Sequence, residues 1–507
     1  MSTPAMSART EHDAPRGLQP GAMLIGVAML CIGALAVAMA VAGGSTLQLG
    51  AALVALAGGA WVLWTRQVQL WLVAGLFFLA PVDISKAIVA PEGQYYSPGL
   101  YLTPAHAVLL LLAFWWAASR RLVAGRWPPL TGLDMAALSW AGYLLLRSLG
   151  SAQGELAVAS GVAYALAVLG FYVASHALQA PGALRIALQA SVAVLLIEAV
   201  YVLAQLLTRQ ALPLPGAKGL TEVAALTFGG EGLAFRPTGF FGHPNSLAHH
   251  LSLLLPPLMA LALVGRTWLP VRVWWVTVAT LLVAGVMQVL TLSRSGWVAL
   301  VVGGLVVVAG LVRCRLMPMR AVWRLVAAAV AAVVMVVILY PQAVLRLTAP
   351  DDRSLESRGL LNGQAMTMIT DRPWLGVGFG EYNRASSQVV GPQFAQVSED
   401  YQKQLRTLVV HNHYLLLAAE LGVPAMFFFL GLLACMIALP WPLRRWRGDP
   451  ASLALAIGLS GSLVGQLLFL TADNFYAETR VFMLWLTAGV LQAVVLRQRP
   501  VPRGGAA

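Results

Sequence analysis

From about residue 22 to residue 496 the sequence falls into runs of roughly 20 apolar residues, separated by short charged or turn-rich segments. That is the length a helix needs to cross the ~30 Å hydrocarbon layer of a bilayer. Backbone N–H and C=O groups placed in hydrocarbon must be satisfied internally, which leaves helices or a closed barrel. The runs are continuous rather than alternating, so a porin-like barrel is excluded. Composition agrees, with 59% hydrophobic and only 10% charged residues, against about 25% charged in a soluble domain. The three cysteines, Cys31, Cys314 and Cys435, are too few and odd in number for a secreted disulfide scaffold.

Fourteen candidate spans can be read, at about 22–42, 46–64, 69–81, 104–118, 133–147, 157–178, 182–207, 246–264, 272–290, 295–312, 321–340, 412–439, 451–471 and 480–496. The first run is too long for the core of a cleaved signal peptide, and a second follows at once. Counted from a cytoplasmic N-terminus, one side receives Arg66, Arg120, Arg121, Arg126, Arg266 and Arg272. The same side receives Arg313, Arg315, Arg320, Arg324, Arg444, Arg445, Arg447, Arg497, Arg499 and Arg503. These are short loops, where basic residues mark the cytoplasm, so both termini are expected there. Much of the net charge of +13, which in a soluble protein would suggest nucleic acid, is explained this way, and no nucleic-acid partner is expected. The expected fold class is an all-α integral membrane protein with about 14 transmembrane helices and one long ordered periplasmic loop carrying short helices.

The opposite side holds three longer segments, roughly 82–103, 208–245 and 341–411. Long loops in compact proteins are commonly functional, and the last reads as ordered, with an amphipathic helix over Leu360–Ile369 and a turn over Gly376–Gly380. No inverted repeat of the transporter kind is visible. All three lysines (Lys86, Lys218, Lys403) lie on this side, with Arg209, Arg236, Arg294, Arg346, Arg353, Arg358, Arg372, Arg384, Arg406 and Arg480. Any one arginine could pair with an acid such as Asp351, Asp352, Glu356, Asp371 or Glu399. The set points to a polyanionic ligand, because the guanidinium fork stays charged and donates two parallel hydrogen bonds to phosphate.

Three constellations carry the chemistry. Arg294 sits in Thr291-Leu-Ser-Arg-Ser-Gly296, a hairpin between two spans, where the free N–H groups of the next helix join it as an anion site; the alternative is an arginine that snorkels to the interface. Arg236-Pro-Thr-Gly-Phe-Phe-Gly-His243-Pro-Asn245 leads into a span, with Asn245 or Ser246 expected to cap it. His243, His249 and His250 have no carboxylate or cysteine at ligand spacing, so no metal is expected. His411-Asn-His-Tyr-Leu415, followed by Glu420-Leu-Gly422, places His411 in the first turn of the re-entering helix. The helix dipole there keeps an imidazole neutral and able to accept a proton, with activity expected to rise through about pH 6–7. His413, two positions on, would face about 200° away. A capping or interfacial histidine is the plainer alternative. Glu198, Tyr201 and Gln205 share a helix face and would line a polar cavity or form an interhelical network. Asp473, Asn474, Glu478 and Arg480 read as an outer ion-paired turn.

Together these motifs resemble the bacterial O-antigen ligase and polymerase superfamily. The resemblance covers about residues 230–440: Phe-Gly-His243-Pro-Asn245, Ser293-Arg-Ser-Gly296, Arg358 before an amphipathic helix, Trp374-Leu-Gly-Val-Gly378, His411-Asn-x-Tyr-Leu415 and Glu420-Leu-Gly422. It implies a glycosyltransferase at the periplasmic face of the bacterial inner membrane, with no metal, nucleotide sugar or other cofactor. The implied donor is a glycan on undecaprenyl diphosphate, and the acceptor a sugar hydroxyl on a lipid-linked glycan or lipid A core. Arg294, Arg358 and His411 match the family's essential residues. Arg236 joins the two arginines as a diphosphate ligand, and Asn245, His243, Asn412 and Glu420 are supporting residues. The implied organisation is a cytoplasmic tail at 1–21, helices at 22–207 and a catalytic region at 208–440 containing the periplasmic loop 341–411. Helices at 441–496 and a cytoplasmic tail at 497–507 complete it. Membrane lipids and a chain-length regulator are the other expected partners. The span count leans towards a polymerase over a ligase. A glycan flippase would want charges along the bundle midplane, where Glu198 is nearly alone.

Overall fold

The computed structural model describes residues 67–89, 99–121, 127–212, 225–228, 231–348, 352–388, 396–406, 408–441, 449–474 and 478–498. The expected spans 22–42 and 46–64 lie outside these. The chain forms two compact units, one of residues 1–72 and 110–127, the other of residues 73–109 and 128–507.

In chain order the helices are α1 (Val68–Leu79), α2 (Pro104–Ser119), α3 (Gly132–Leu149), α4 (Glu155–Ala177), α5 (Ala183–Thr208), α6 (Pro244–Val264), α7 (Val271–Leu290), α8 (Arg294–Arg313) and α9 (Met319–Leu339). α10 (Pro341–Thr348), the 20-residue α11 (Asp352–Asp371) and the short α12 (Tyr382–Gln388), α13 (Glu399–Arg406) and α14 (His413–Leu421) follow, then α15 (Val423–Ala438), α16 (Pro450–Phe469) and α17 (Glu478–Leu496). Two antiparallel strand pairs interrupt the expected all-helical plan, β1 (Lys86–Val89) with β2 (Leu100–Leu102) and β3 (Ala225–Phe228) with β4 (Glu231–Phe235).

Among the described residues eight helices are long and apolar enough to cross a membrane, and they coincide with eight of the fourteen expected spans. The other described spans differ. α1 and α2 are shorter apolar helices, and α3 carries Asp134 and Arg147. The expected span 412–439 is two helices, α14 and α15, broken at Gly422. Gly422 has φ 91°, and a Cβ there would stand 2.1 Å from the Trp374 carbonyl oxygen. The Val423 N–H leaves the helix ladder and donates to Pro373 O at 2.8 Å, so the segment after α11 is stitched into the break.

The centre of the bundle is α6, α8 and α16, brought close by small residues. A Cβ on Gly461 would lie 2.7 Å from Gly303 O, and one on Gly465 would lie 2.5 Å from Ala299 O. Such close backbones are how helices gain contact where lipid removes the hydrophobic drive. Pro256 and Pro257 lie inside α6. Pro257 has no N–H for the carbonyl four residues back, and that carbonyl, Leu253 O, accepts the Ser462 hydroxyl at 2.6 Å instead.

The described residues of the long loop share an apolar core with α14. Leu361, Ala365 and Met368 of α11 pack with Tyr382, Leu405, Val410, Leu416 and Ala419. The periodicity that predicts an amphipathic helix over Leu360–Ile369 is therefore spent against α14.

Candidate active site

The hairpin between α7 and α8 is the first component. Leu292 takes φ 50°, and the Ser293 side chain accepts from Gly296 N–H at 3.4 Å to cap α8, leaving Arg294 as the first helical residue. Two other arginines hold the hairpin carbonyls: Arg236 Nε donates to Thr291 O at 2.7 Å and Arg346 Nε to Leu292 O at 3.2 Å. Arg236, only 5% exposed, also donates from Nη2 to Asn245 Oδ1 at 2.9 Å.

The cap of α6 differs from the sequence expectation. Pro244 forces the residue before it into an extended conformation, and that residue, His243, caps the helix through Nδ1, which accepts Asn245 N–H at 3.0 Å. The Asn245 side chain is thereby released to hold Arg236. Of the two readings of Glu198, Tyr201 and Gln205, the hydrogen-bond network is the one observed. Glu198 Oε1 accepts Phe240 N–H at 3.2 Å, and its Oε2 lies 3.1 Å from His250 Nδ1. Gln205 Oε1 accepts the N–H groups of Thr238 and Gly239, both at 3.0 Å. Tyr201 rests its ring against Phe240. This network shapes the Arg236–Gly242 approach.

The second component is the start of α14. Asn412 is the N-cap, its Oδ1 accepting Tyr414 and Leu415 N–H at 3.1 Å each. His411 therefore precedes the helix instead of lying in its first turn, because the asparagine takes the cap position for which it is well suited. His413 opens the helix, and its N–H donates to Leu470 O at 2.9 Å and Asp473 O at 3.1 Å. Its ring is buried against Phe429, whereas His411 keeps part of its surface open. His411 Nδ1 is buried with no hydrogen-bond partner among the described residues.

The third component is the turn after α16. Asp473 Oδ2 pairs with Arg480 Nη1 at 2.9 Å, both side chains buried, and Asp473 Oδ1 accepts Asn474 N–H at 2.8 Å. Burial raises the Asp473 carboxyl, but Arg480, His411, His243 and the Asn474 N–H outweigh it and hold it at about 2. Burial lowers the His411 pKa from its ordinary value; Asp473 opposes, and Arg358 and Arg480 lower it further. His243 is pushed down to about 3, by burial first and then by Arg236, with Asp473 opposing and Arg480 and His411 adding to the fall. Charge effects link four segments, Arg236–His243, Arg358 on α11, His411 and the Asp473–Arg480 pair, and Asn474 Nδ2 donates to Val410 O at 3.4 Å beside His411. The Arg294 hairpin joins through the bond from Arg236.

Asn412 serves as a cap, and Glu420 accepts Tyr382 N–H at 3.1 Å where the loop meets α14. Asp473 and Arg480 are missing from the candidates that sequence gives, although their pairing is foreseen there. The available signal was their place in a short outer turn on the same membrane side as Arg294 and His411. No group of three His, Cys, Asp or Glu side chains suited to a metal occurs among the described residues. His250 faces Glu198, and His249 meets Phe469 edge-on. The arrangement sets the charges of Arg358, Arg480 and Asp473 around an imidazole whose pKa burial lowers.

Residues 278–430 match the family model described as O-antigen ligase. The matched stretch contains Arg294, Arg358 and His411, while Arg236, His243, Asp473 and Arg480 lie outside it. The match supports the O-antigen ligase and polymerase superfamily, and with it a membrane glycosyltransferase type. No curated protein matches the sequence.

Proposed function

We propose that this protein is a metal-independent glycosyltransferase working at the periplasmic face of the bacterial inner membrane. It moves a glycan from undecaprenyl diphosphate to an acceptor sugar hydroxyl. The observation that carries this reading is the convergence of Arg236, Arg358 and Arg480 with His411 and Asp473 beside the Arg294 hairpin. The acceptor oxygen attacks the anomeric carbon of the donor sugar, and the bond from that carbon to the diphosphate oxygen breaks with its electron pair. Arg294 and Arg358 stabilise the charge that develops on the departing diphosphate, as preorganised donors do best in a site shielded from water. The acceptor hydroxyl proton passes to His411, a partly exposed imidazole whose pKa burial lowers. One direct displacement inverts the anomeric centre.

We favour the lengthening of a cell-surface polysaccharide, with an acceptor that is itself a lipid-linked glycan and a chain-length regulator as partner. The second reading is transfer of the finished chain to lipid A core, which uses the same donor chemistry. Purified protein incubated with a lipid-diphosphate-linked oligosaccharide, with and without lipid A core, separates them. Lengthened glycan supports the polymerase, and glycan on the core supports the ligase. Neither product, with donor merely crossing the bilayer, would leave a flippase.

A further inference from the structure

A groove bounded by α5, α6, α7, α16 and α17 has no part in the transfer reaction. It holds about 890 Å³, with aliphatic walls that include Leu258 and Leu455, and among the described residues no aspartate or glutamate lines it. Three arginines do: Arg185, Arg272 and Arg497. Arg185 and Arg272 lie in the first turns of α5 and α7, and Arg497 follows the last residue of α17. α7 runs 20 residues from Val271 to the Arg294 hairpin, a rise of about 30 Å. The three arginines therefore sit a bilayer thickness away from the candidate active site, at the opposite membrane face.

We propose that this groove binds one anionic phospholipid, its phosphate held by Arg185, Arg272 and Arg497 and its acyl chains lying along the aliphatic walls. A wholly uncharged tail would satisfy Leu258 and Leu455 but leave three guanidinium groups facing one groove without a counter-charge. Guanidinium forks match phosphate oxygens, and basic pockets between membrane helices on the cytoplasmic side accommodate anionic headgroups. The tendency of arginines to gather on one membrane face explains their side, but not their convergence on an apolar groove free of carboxylates. The groove extends to His250, which is held by Glu198, so the tails run towards the network beneath the Arg236–Gly242 approach. The bound lipid braces α5 against α6 and α7.

Native mass spectrometry of the full-length protein, with phosphatidylglycerol or phosphatidylcholine added in detergent, tests this. One phosphatidylglycerol should be retained with a preference of roughly tenfold or more over phosphatidylcholine. The triple variant Arg185→Gln, Arg272→Gln, Arg497→Gln should bind it about 100-fold more weakly, at about fivefold per arginine. The control triple Arg313→Gln, Arg315→Gln, Arg320→Gln, on the same face but off the groove, should bind normally. Leu258→Trp, which fills the groove and leaves every charge in place, should also release the lipid, and the single Arg272→Gln should weaken binding about fivefold. Equal affinity for the two lipids, equal loss in the two triple variants, full retention by Leu258→Trp, or displacement by inorganic phosphate alone would each overturn the proposal. So would displacement by a polyprenyl phosphate, which would make the groove a donor-tail site.

Discussion

The Asp473 carboxylate and the Arg480 guanidinium form a buried ion pair at 2.9 Å, while the Asp473 carbonyl accepts the N–H of His413 at 3.1 Å. One residue thus sets the charge beside His411 and fixes the start of the helix that follows it. Removing one member of a buried pair leaves an uncompensated charge and costs about 3–5 kcal/mol. Asp473→Asn should therefore lower thermal stability in detergent at neutral pH. The folded-state pKa of Asp473 is about 2, below the ordinary 3.8. Its contribution is complete above that ordinary value and is lost as pH falls towards about 2. The stability gap between wild type and Asp473→Asn should narrow over that interval. A gap independent of pH would show that the carboxylate charge is not what stabilises the turn.

The acid limb of transfer activity should lie below the ordinary histidine value of 6.5, because burial lowers His411. Burial thus takes the place of the helix dipole as the cause behind the rise expected through about pH 6–7. Asp473→Asn removes the charge that raises His411 and should move the limb to still lower pH. An unmoved limb would separate Asp473 from the titrating group. His411→Ala should reduce transfer by about 10²–10⁴-fold, the usual contribution of a general base, while donor binding persists. His413→Leu, at a buried ring position, should lose stability before it loses turnover.

Arg294→Lys preserves charge but not the two-pronged geometry, so most transfer activity should go while expression and membrane insertion remain. Arg384, 46% exposed at its side chain and paired with Glu381 at 3.5 Å, should tolerate alanine. Similar activities for the two variants would reduce Arg294 to an interface anchor.

Gly422→Ala should be among the most damaging small substitutions. It forces an alanine to φ 91° and drives a Cβ to 2.1 Å from Trp374 O. Backbone strain and overpacking each cost about 1–3 kcal/mol, and the sum should appear as a collapse in yield of folded protein. Normal yield and melting temperature would mean that the break between α14 and α15 is not held by this contact.

Long apolar runs made eight spans legible, since hydrocarbon admits little besides a helix at that length. The break at Gly422 was hidden because the apolar run continues on both sides of it. Only the carbonyl of Pro373, supplied by a loop distant in sequence, reveals where the Val423 N–H goes. The Arg294 hairpin was legible from its small and polar residues between two spans. The cap of α6 was not, because His243 is a poor cap by propensity, and it serves only because Pro244 fixes its extended backbone. Asp473 was seen as part of an ion pair, but its approach to His411 joins segments about 60 residues apart and is a tertiary fact.

Displacement of a lipid diphosphate couples every glycan transfer to one leaving group, which can be counted. Purified protein should release one undecaprenyl diphosphate for each glycan transferred, in the presence of a metal chelator, and His411→Ala should lower both yields together. Glycan transfer without stoichiometric release of the lipid diphosphate, or transfer abolished by the chelator, would contradict it.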